Sequence, residues 1–202
     1  MQRQTIAVGS YEVNCSILTE ADRAYIVDPG QEAGRILSIL EKKAAHPAAV
    51  LLTHAHFDHI TAIADLQKVF PQLPVYVHES DWPMFGHPFN QFPGEYSSIG
   101  KPANLRPVDE IAREAGQIAV IPTPGHTPGG VCYYLAQEKL LLSGDTLFAG
   151  SIGRTDFPGG DMTAMLESLK RLMELPDDTL VVPGHGSFTT IGEERRANPY
   201  IV

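Results

Sequence analysis

The chain has 202 residues, 43% of them hydrophobic, with 15 basic against 24 acidic side chains and a formal net charge of -9. That is enough apolar chain for one domain with a substantial core. The acidic balance, a pI near 5.3 and the absence of any Lys/Arg run argue against a nucleic-acid-binding surface.

The first residues lack the apolar core of a secretory signal, and no apolar run is long enough to span a bilayer. The expected compartment is therefore the cytoplasm. Cys15 and Cys132 lie in apolar runs without a Cys-x-x-Cys partner and read as buried free thiols. Three short strands open the chain, at 5–8, 13–18 and 24–27, and predict an antiparallel meander. Asp28-Pro29-Gly30 ends the third in a turn. Ile36, Leu37 and Leu40 share one face of a helix expected over 31–44, and His46-Pro47 reads as a loop.

The run Ala48-Ala49-Val50-Leu51-Leu52 predicts a buried strand, and it leads straight into Thr53-His54-Ala55-His56-Phe57-Asp58-His59. Ile60, Ile63, Leu66 and Phe70 then carry helical spacing over 60–70. The imidazoles thus fall on a turn from strand to helix, where α/β folds place their sites. His54 and His56 can point into one site from an extended turn. Asp58 and His59, at the helix start, can point into a second beside it.

Further along, a strand at 74–77 and a helix from near Glu79 are expected. Residues 86–104 mix proline, glycine and aromatics without a period. They predict a long ordered connection that either overhangs the site or merely joins elements. His46, His78 and His87 have no ligand pattern around them.

Neutral imidazole is the commonest protein ligand for zinc-like metals, and carboxylate oxygen is its harder partner. Zinc needs at least three protein ligands plus an open position, so one loop cannot complete a site. The chain repeats the pattern three times. An apolar run at 118–121 precedes Pro124-Gly125-His126. A run at 140–142 precedes Ser143-Gly144-Asp145, and one at 180–182 precedes Pro183-Gly184-His185. A hairpin over 131–142, turning at Gln137-Glu138, separates the first two. Asp161 is the expected N-cap of a helix over 162–175 with Met162, Met165, Leu166, Leu169, Leu172 and Met173 on its apolar face. A short helix over 192–196 closes the chain. Neither half, 1–110 or 111–202, could complete the ligand set alone. One domain over 1–202 is expected, with two mixed sheets face to face and helices outside.

The series His54-x-His56-x-Asp58-His59, His126, Asp145, His185 resembles the ligand set of the metallo-β-lactamase-fold hydrolases. The likeness runs from about Asn14 to about His185, and Asp28 in Val27-Asp28-Pro29-Gly30 matches that family's first motif. Leu147-Phe148, the string from Gly153 to Pro158 and the ending Asn198-Pro199-Tyr200 are similar to short bacterial glyoxalase-II-like enzymes. The resemblance implies an α+β fold, a four-layer αββα sandwich. It also implies two divalent metal ions, with zinc expected and iron or manganese also suited to an all-His/Asp set. His54, His56 and His126 would hold one ion, and Asp58, His59 and His185 the other, with Asp145 bridging.

No Gly-x-Ser-x-Gly elbow is evident, so the nucleophile is expected to be water activated between the ions. Asp58 and Asp145 are the expected catalytic carboxylates. The implied reaction is hydrolysis of a small-molecule thioester of the S-2-hydroxyacylglutathione type, such as S-D-lactoylglutathione, with neither nucleic acid nor membrane as partner. Asp28 reads either as turn chemistry or as the carboxylate that holds a ligand imidazole's second N–H. Arg154 sits where those enzymes carry a cationic contact, but the tyrosine expected two residues later is Asp156 here. Arg154 is therefore either a contact for a substrate carboxylate or the partner of Asp156 or Asp161. The C-terminal helical domain that binds glutathione in two-domain relatives has no counterpart in 1–202. An iron-dependent persulfide dioxygenase and a lactonase are the enzymatic alternatives. A metal-free scaffold fits poorly, because every ligand position is filled.

Overall fold

The computed structural model describes residues 1–90 and 100–201. Strands β1 (Gln2–Val8), β2 (Val13–Glu20) and β3 (Arg23–Val27) form the antiparallel meander, and β4 (His46–Leu51), β5 (Val75–Val77) and β6 (Leu105–Pro107) extend it in parallel into a six-stranded sheet. His46-Pro47 belongs to β4 rather than to a loop, because His46 pairs with Arg23 across the parallel ladder. The second sheet has the order β13 (Thr189–Thr190), β12 (Leu180–Pro183), β9 (Leu140–Gly144), β8 (Val131–Leu135), β7 (Ala119–Pro122). The β8–β9 pair is the expected hairpin. A two-stranded ribbon, β10 (Leu147–Phe148) with β11 (Ser151–Ile152), follows β9.

Alternation along the strands sorts their side chains into three apolar layers. Ala24 and Ile26 of β3, Val50 of β4 and Val75 of β5 face α1 (Ala33–Lys42) and α3 (Ile63–Val69), where Ile36, Leu40, Ile63 and Leu66 are buried. The residues between them, Tyr25, Val27, Ala49, Leu51 and Tyr76, face the other sheet and pack with Tyr133, Leu135, Leu140, Leu142 and Val182. Cys132, Leu141 and Val181 point out of the second sheet onto α5 (Met162–Leu172) and α6 (Ile191–Ala197) through Met165, Leu169, Leu172 and Ile191. This is the αββα sandwich. Because the central strands are covered on both faces, they read as apolar runs. Cys15 and Cys132 are both buried and unpaired by disulfide, and burial raises both thiol pKa values.

Several expectations need correction. The helix expected over 60–70 is two pieces: α2 (Phe57–Ile60) begins inside the histidine motif, and α3 starts only at Ile63. The helix from Glu79 is a short 3-10 turn, Glu79–Met84, with Pro83 inside it. On α5, Met162 and Leu166 are 44% and 38% exposed, so its buried face is narrower than the spacing suggests. Of the long connection expected over 86–104, residues 91–99 lie outside the described residues. No helix among the described residues is long and apolar enough to cross a membrane.

Asp161 caps α5 as expected, its Oδ1 accepting from Ala164 N at 3.0 Å. Asp161→Ala should cost about 1 kcal/mol and lower Tm by about 2–4 °C for a chain of this size, measured by thermal unfolding.

Candidate metal centre

Strands β3 and β4 run parallel, so the turns after their C-terminal ends emerge at one end of the first sheet. Strands β9 and β12 are parallel, and β7, antiparallel to β8 as β9 is, shares their direction. Their C-terminal turns carry His126, Asp145 and His185. Two cross-sheet bonds bring the ends together: Val131 N donates to Thr53 O at 2.8 Å, and the buried Tyr133 hydroxyl donates to Leu52 O at 2.8 Å. On the far side Asn14 of β2 clamps the last turn. Its N–H donates to Gly184 O, and its side chain donates to Pro183 O and Gly186 O.

Seven side chains converge there. Their ligand atoms form three overlapping groups, each within 4.8 Å: His54, His56 and His126; His54, His59 and Asp145; Asp58, His59 and His185. Asp145 faces both ends. Its Oδ1 lies 3.5 Å from His59 Nε2, and its Oδ2 lies 3.5 Å from His126 Nε2 and 3.6 Å from His185 Nε2. Asp58 Oδ2 is 3.3 Å from His185 Nε2. Glycine is required at 184, where a Cβ would sit 2.1 Å from Asp145 Oδ1 and 2.8 Å from His59 Cε1. His46, His78 and His87 belong to none of these groups. The last two accept backbone N–H bonds from Ser80 and Phe89 and act as local turn caps.

The outer ring nitrogens set the tautomers. His126 Nδ1 donates to Arg154 O and His185 Nδ1 to Tyr11 O, each at 2.7 Å. Thr53 Oγ1 donates to Asp28 Oδ2 at 2.7 Å, so His54 Nδ1, 3.1 Å away, donates to Thr53. Asp28 also accepts from Thr53 N, and its Oδ2 is 3.2 Å from His59 Nδ1, a charged contact off the angle of a full hydrogen bond. With these protons directed outward, the Nε2 lone pairs of His54, His126 and His185 face inward, and His59 Nε2 points to the same centre. His54 Nε2 and Asp145 Oδ1 are buried without a hydrogen-bond partner, while His56 Nδ1 and His126 Nε2 oppose each other at 2.8 Å and His59 and His185 Nε2 at 3.3 Å. Imidazole nitrogens opposed at such distances and carboxylates converging on one centre fit divalent cations.

The partners that a sequence reading misses are mostly backbone or aromatic. The carbonyls of Tyr11 and Arg154 carry no residue-type signal. Phe89 and Phe157, with ring centroids 4.9 Å apart, stand beside His56 and His126, and Phe148 stands beside His185. The Arg154 guanidinium forms a two-pronged pair with Asp156 and lies 4.1 Å over the Phe157 ring. A separate groove of about 430 Å³ over the outer face of α5, lined by Leu166, Met173 and Tyr200 among others, shares no residue with the cluster.

A family profile described as the metallo-beta-lactamase superfamily matches residues 8–185. The chain belongs to that superfamily, and it is a metal-dependent hydrolase of that class. It is 34% identical to the hydroxyacylglutathione hydrolase GloC of Haemophilus influenzae over 213 residues, covering 100% of this chain and 98% of the relative. Its fold matches a crystal structure of TTHA1623 in a di-iron-bound form with a TM-score of 0.87, at 38% identity over 98% of this chain and 99% of the other. It matches the BLEG-1 B3 metallo-beta-lactamase equally well, with a TM-score of 0.87 at 36% identity over 99% of both chains.

Before metal binds, the site is electrically divided. Burial drives His54 well below its ordinary value, aided by His59 and His56, and holds His56 down to about 3, aided by His126. Burial also works against charge on His59, but Asp58, Asp145 and Asp28 outweigh it and lift this imidazole to about 10. Burial of Asp58 is likewise outweighed, by His59 and His185, and its carboxyl is held down to about 2. From about pH 3 to 6.5 the unfolded chain binds extra protons, at the positions of His54 and His56, so stability rises with pH. From 6.5 to about 10 the folded chain holds the extra proton on His59, so stability falls. The unfolding free energy of chelator-treated protein, measured in urea across this range, should peak near about pH 6.5. A curve still rising at pH 9 would contradict this charge arrangement.

Proposed function

We propose that the protein hydrolyses thioesters of the S-2-hydroxyacylglutathione type, S-D-lactoylglutathione among them, using two divalent ions. The observation that carries this reading is Asp145, whose Oδ2 lies 3.5 Å from His126 Nε2 and 3.6 Å from His185 Nε2 and whose Oδ1 lies 3.5 Å from His59 Nε2. The full-length likeness to a hydroxyacylglutathione hydrolase supports the substrate class.

In this reading His54, His56 and His126 hold one ion, Asp58, His59 and His185 hold the other, and Asp145 lies between. Zinc is the proposed metal, and the di-iron form of a relative makes iron the first alternative to test. Bound ions would supply Lewis acidity and lower the pKa of water toward neutrality.

The chain itself orients and excludes. Asp28, Tyr11 O, Arg154 O and Thr53 fix the imidazole protons on the outside. Asp58, ionised at neutral pH, accepts a hydrogen bond from the attacking water but has no proton to give a leaving group. The water oxygen adds to the thioester carbonyl carbon and gives up a proton to solvent past Asp58; the C–S bond then breaks, its electron pair leaving on the thiolate, and the acyl group is released as the carboxylic acid. A thiol pKa of about 8.5 makes it a good leaving group without acid help. An amide nitrogen would need a proton, which favours thioester over lactam substrates.

Arg154 is proposed as the contact for a substrate carboxylate at the rim. Its pair with Asp156 is exposed, 63% and 66% by side chain, and a solvated bridge of this kind contributes little. A ligand carboxylate can therefore displace Asp156 at little cost.

Asp145→Ala should abolish hydrolysis of S-D-lactoylglutathione and reduce bound metal, read by steady-state kinetics beside elemental analysis. A fully active, metal-loaded variant would overturn the scheme. The same assay should include a β-lactam, and glutathione persulfide with an oxygen electrode. Turnover of either in preference to the thioester would reassign the substrate. Arg154→Ala should raise KM for the glutathione thioester about 3–10-fold, the scale of one exposed charged contact, and leave kcat within about 2-fold.

A further inference from the structure

We infer that Asp81 is the positioning residue that sets the geometry of the His54/His56/His126 group, acting through the backbone without touching a metal. The inference rests on the metal-binding reading above and deepens it.

Asp81 sits in the 3-10 turn Glu79–Met84 and has no exposed surface. Its carboxyl group accepts three bonds from two different turns. Oδ2 accepts from Ala55 N at 3.0 Å and from Thr127 Oγ1 at 2.8 Å, and Oδ1 accepts from Gly129 N at 2.7 Å. Ala55 lies between His54 and His56, and Thr127 follows His126. One carboxyl group therefore ties together the two chain segments that carry all three imidazoles of this group. The approach is close: a Cβ on residue 129 would lie 2.6 Å from Asp81 Oδ1, so only glycine fits.

The Ala55 peptide is held at its other end too. Asn90 Nδ2 donates to Ala55 O at 2.6 Å and to Met84 O at 2.9 Å. The ladder of β4 ends at Leu51, so the peptide between the two histidines has no strand partner to define it. Its orientation depends on these two side chains. Nothing comparable links Asp81 to His59 or His185, whose outer nitrogens face Asp28 and Tyr11 O. The effect of Asp81 should therefore fall on one metal position and spare the other.

The test separates the two positions. Zinc affinity is measured by chelator competition in a His185→Ala background, which leaves the His54/His56/His126 group, and in a His126→Ala background, which leaves the Asp58/His59/His185 group. Asp81→Asn keeps the shape but turns an NH2 toward one of the buried donors. It should weaken zinc about 10–100-fold in the first background, the usual scale for partners behind metal ligands. In the second background the change should stay within about 2-fold, the scale of additivity, because Asp81 bonds to the turns at Ala55, Thr127 and Gly129 and to none of Asp58, His59 and His185. Thr127→Val removes a single donor at nearly constant volume. It should weaken the same position by a smaller factor, and it serves where Asp81→Asn does not fold.

Equal affinity with and without Asp81→Asn in the first background would overturn the inference. Equal losses in both backgrounds would do so too, because they mark general destabilisation. If the unsubstituted protein shows no chelator-resistant zinc at either position, the metal-binding reading itself fails and takes the inference with it.

Discussion

Five imidazoles packed together, four of them buried, are tolerable only because carboxylates share their site. Protonated together, His54, His56, His59, His126 and His185 would repel one another. All neutral with no cation among them, they leave opposed lone pairs. Asp58 and Asp145 face the inner nitrogens, and Asp28 stands behind His59. The result is a graded site before any metal arrives. The His54/His56 side is held neutral by burial, and the His59 side is held protonated by its acids. Divalent cations bound there would resolve both problems together, replacing the protons on one side and filling the unpartnered lone pairs on the other.

The scaffold supplies this arrangement through strand direction. Parallel neighbours put successive C-terminal turns at the same end of a sheet, so ligands far apart in the chain arrive side by side. The two sheets then have to be locked end to end. Tyr133 reaching Leu52, Val131 reaching Thr53 and Asn14 holding the Gly184 turn are the bonds that do so. Each is made by residues buried in, or bordering, the layer between the sheets. Site geometry and core packing are thus one problem here, and a core substitution at Tyr133 would reach the ligands through Leu52.

Around the cluster the chemistry divides again. Phe89 and Phe157 form an apolar wall beside His56 and His126, and Arg154 lies on the outside of that wall, paired with Asp156. A substrate with an apolar or small acyl group and an anionic tail matches such a rim. Arg154 serves the site twice, since its backbone carbonyl fixes the His126 proton while its side chain remains free to exchange partners at the surface.

The sequence by itself determined the candidate ligand inventory and the layers. Apolar runs followed by glycine-flanked His or Asp place each candidate ligand on a turn after a strand, and the unbroken apolar character of those runs specifies sheets covered on both faces. That information is local, and local physics is what a one-dimensional pattern records. It misjudged where contacts across the fold decide. His46-Pro47 became strand by pairing with Arg23, the helix after the motif broke at Thr61-Ala62, and Glu79–Met84 became a 3-10 turn that delivers Asp81 to Ala55. Only the tertiary structure decided which nitrogen of each histidine faces inward. That depends on carbonyls of Tyr11 and Arg154, which any residue type would offer, brought up from 174 and 28 positions away in the chain.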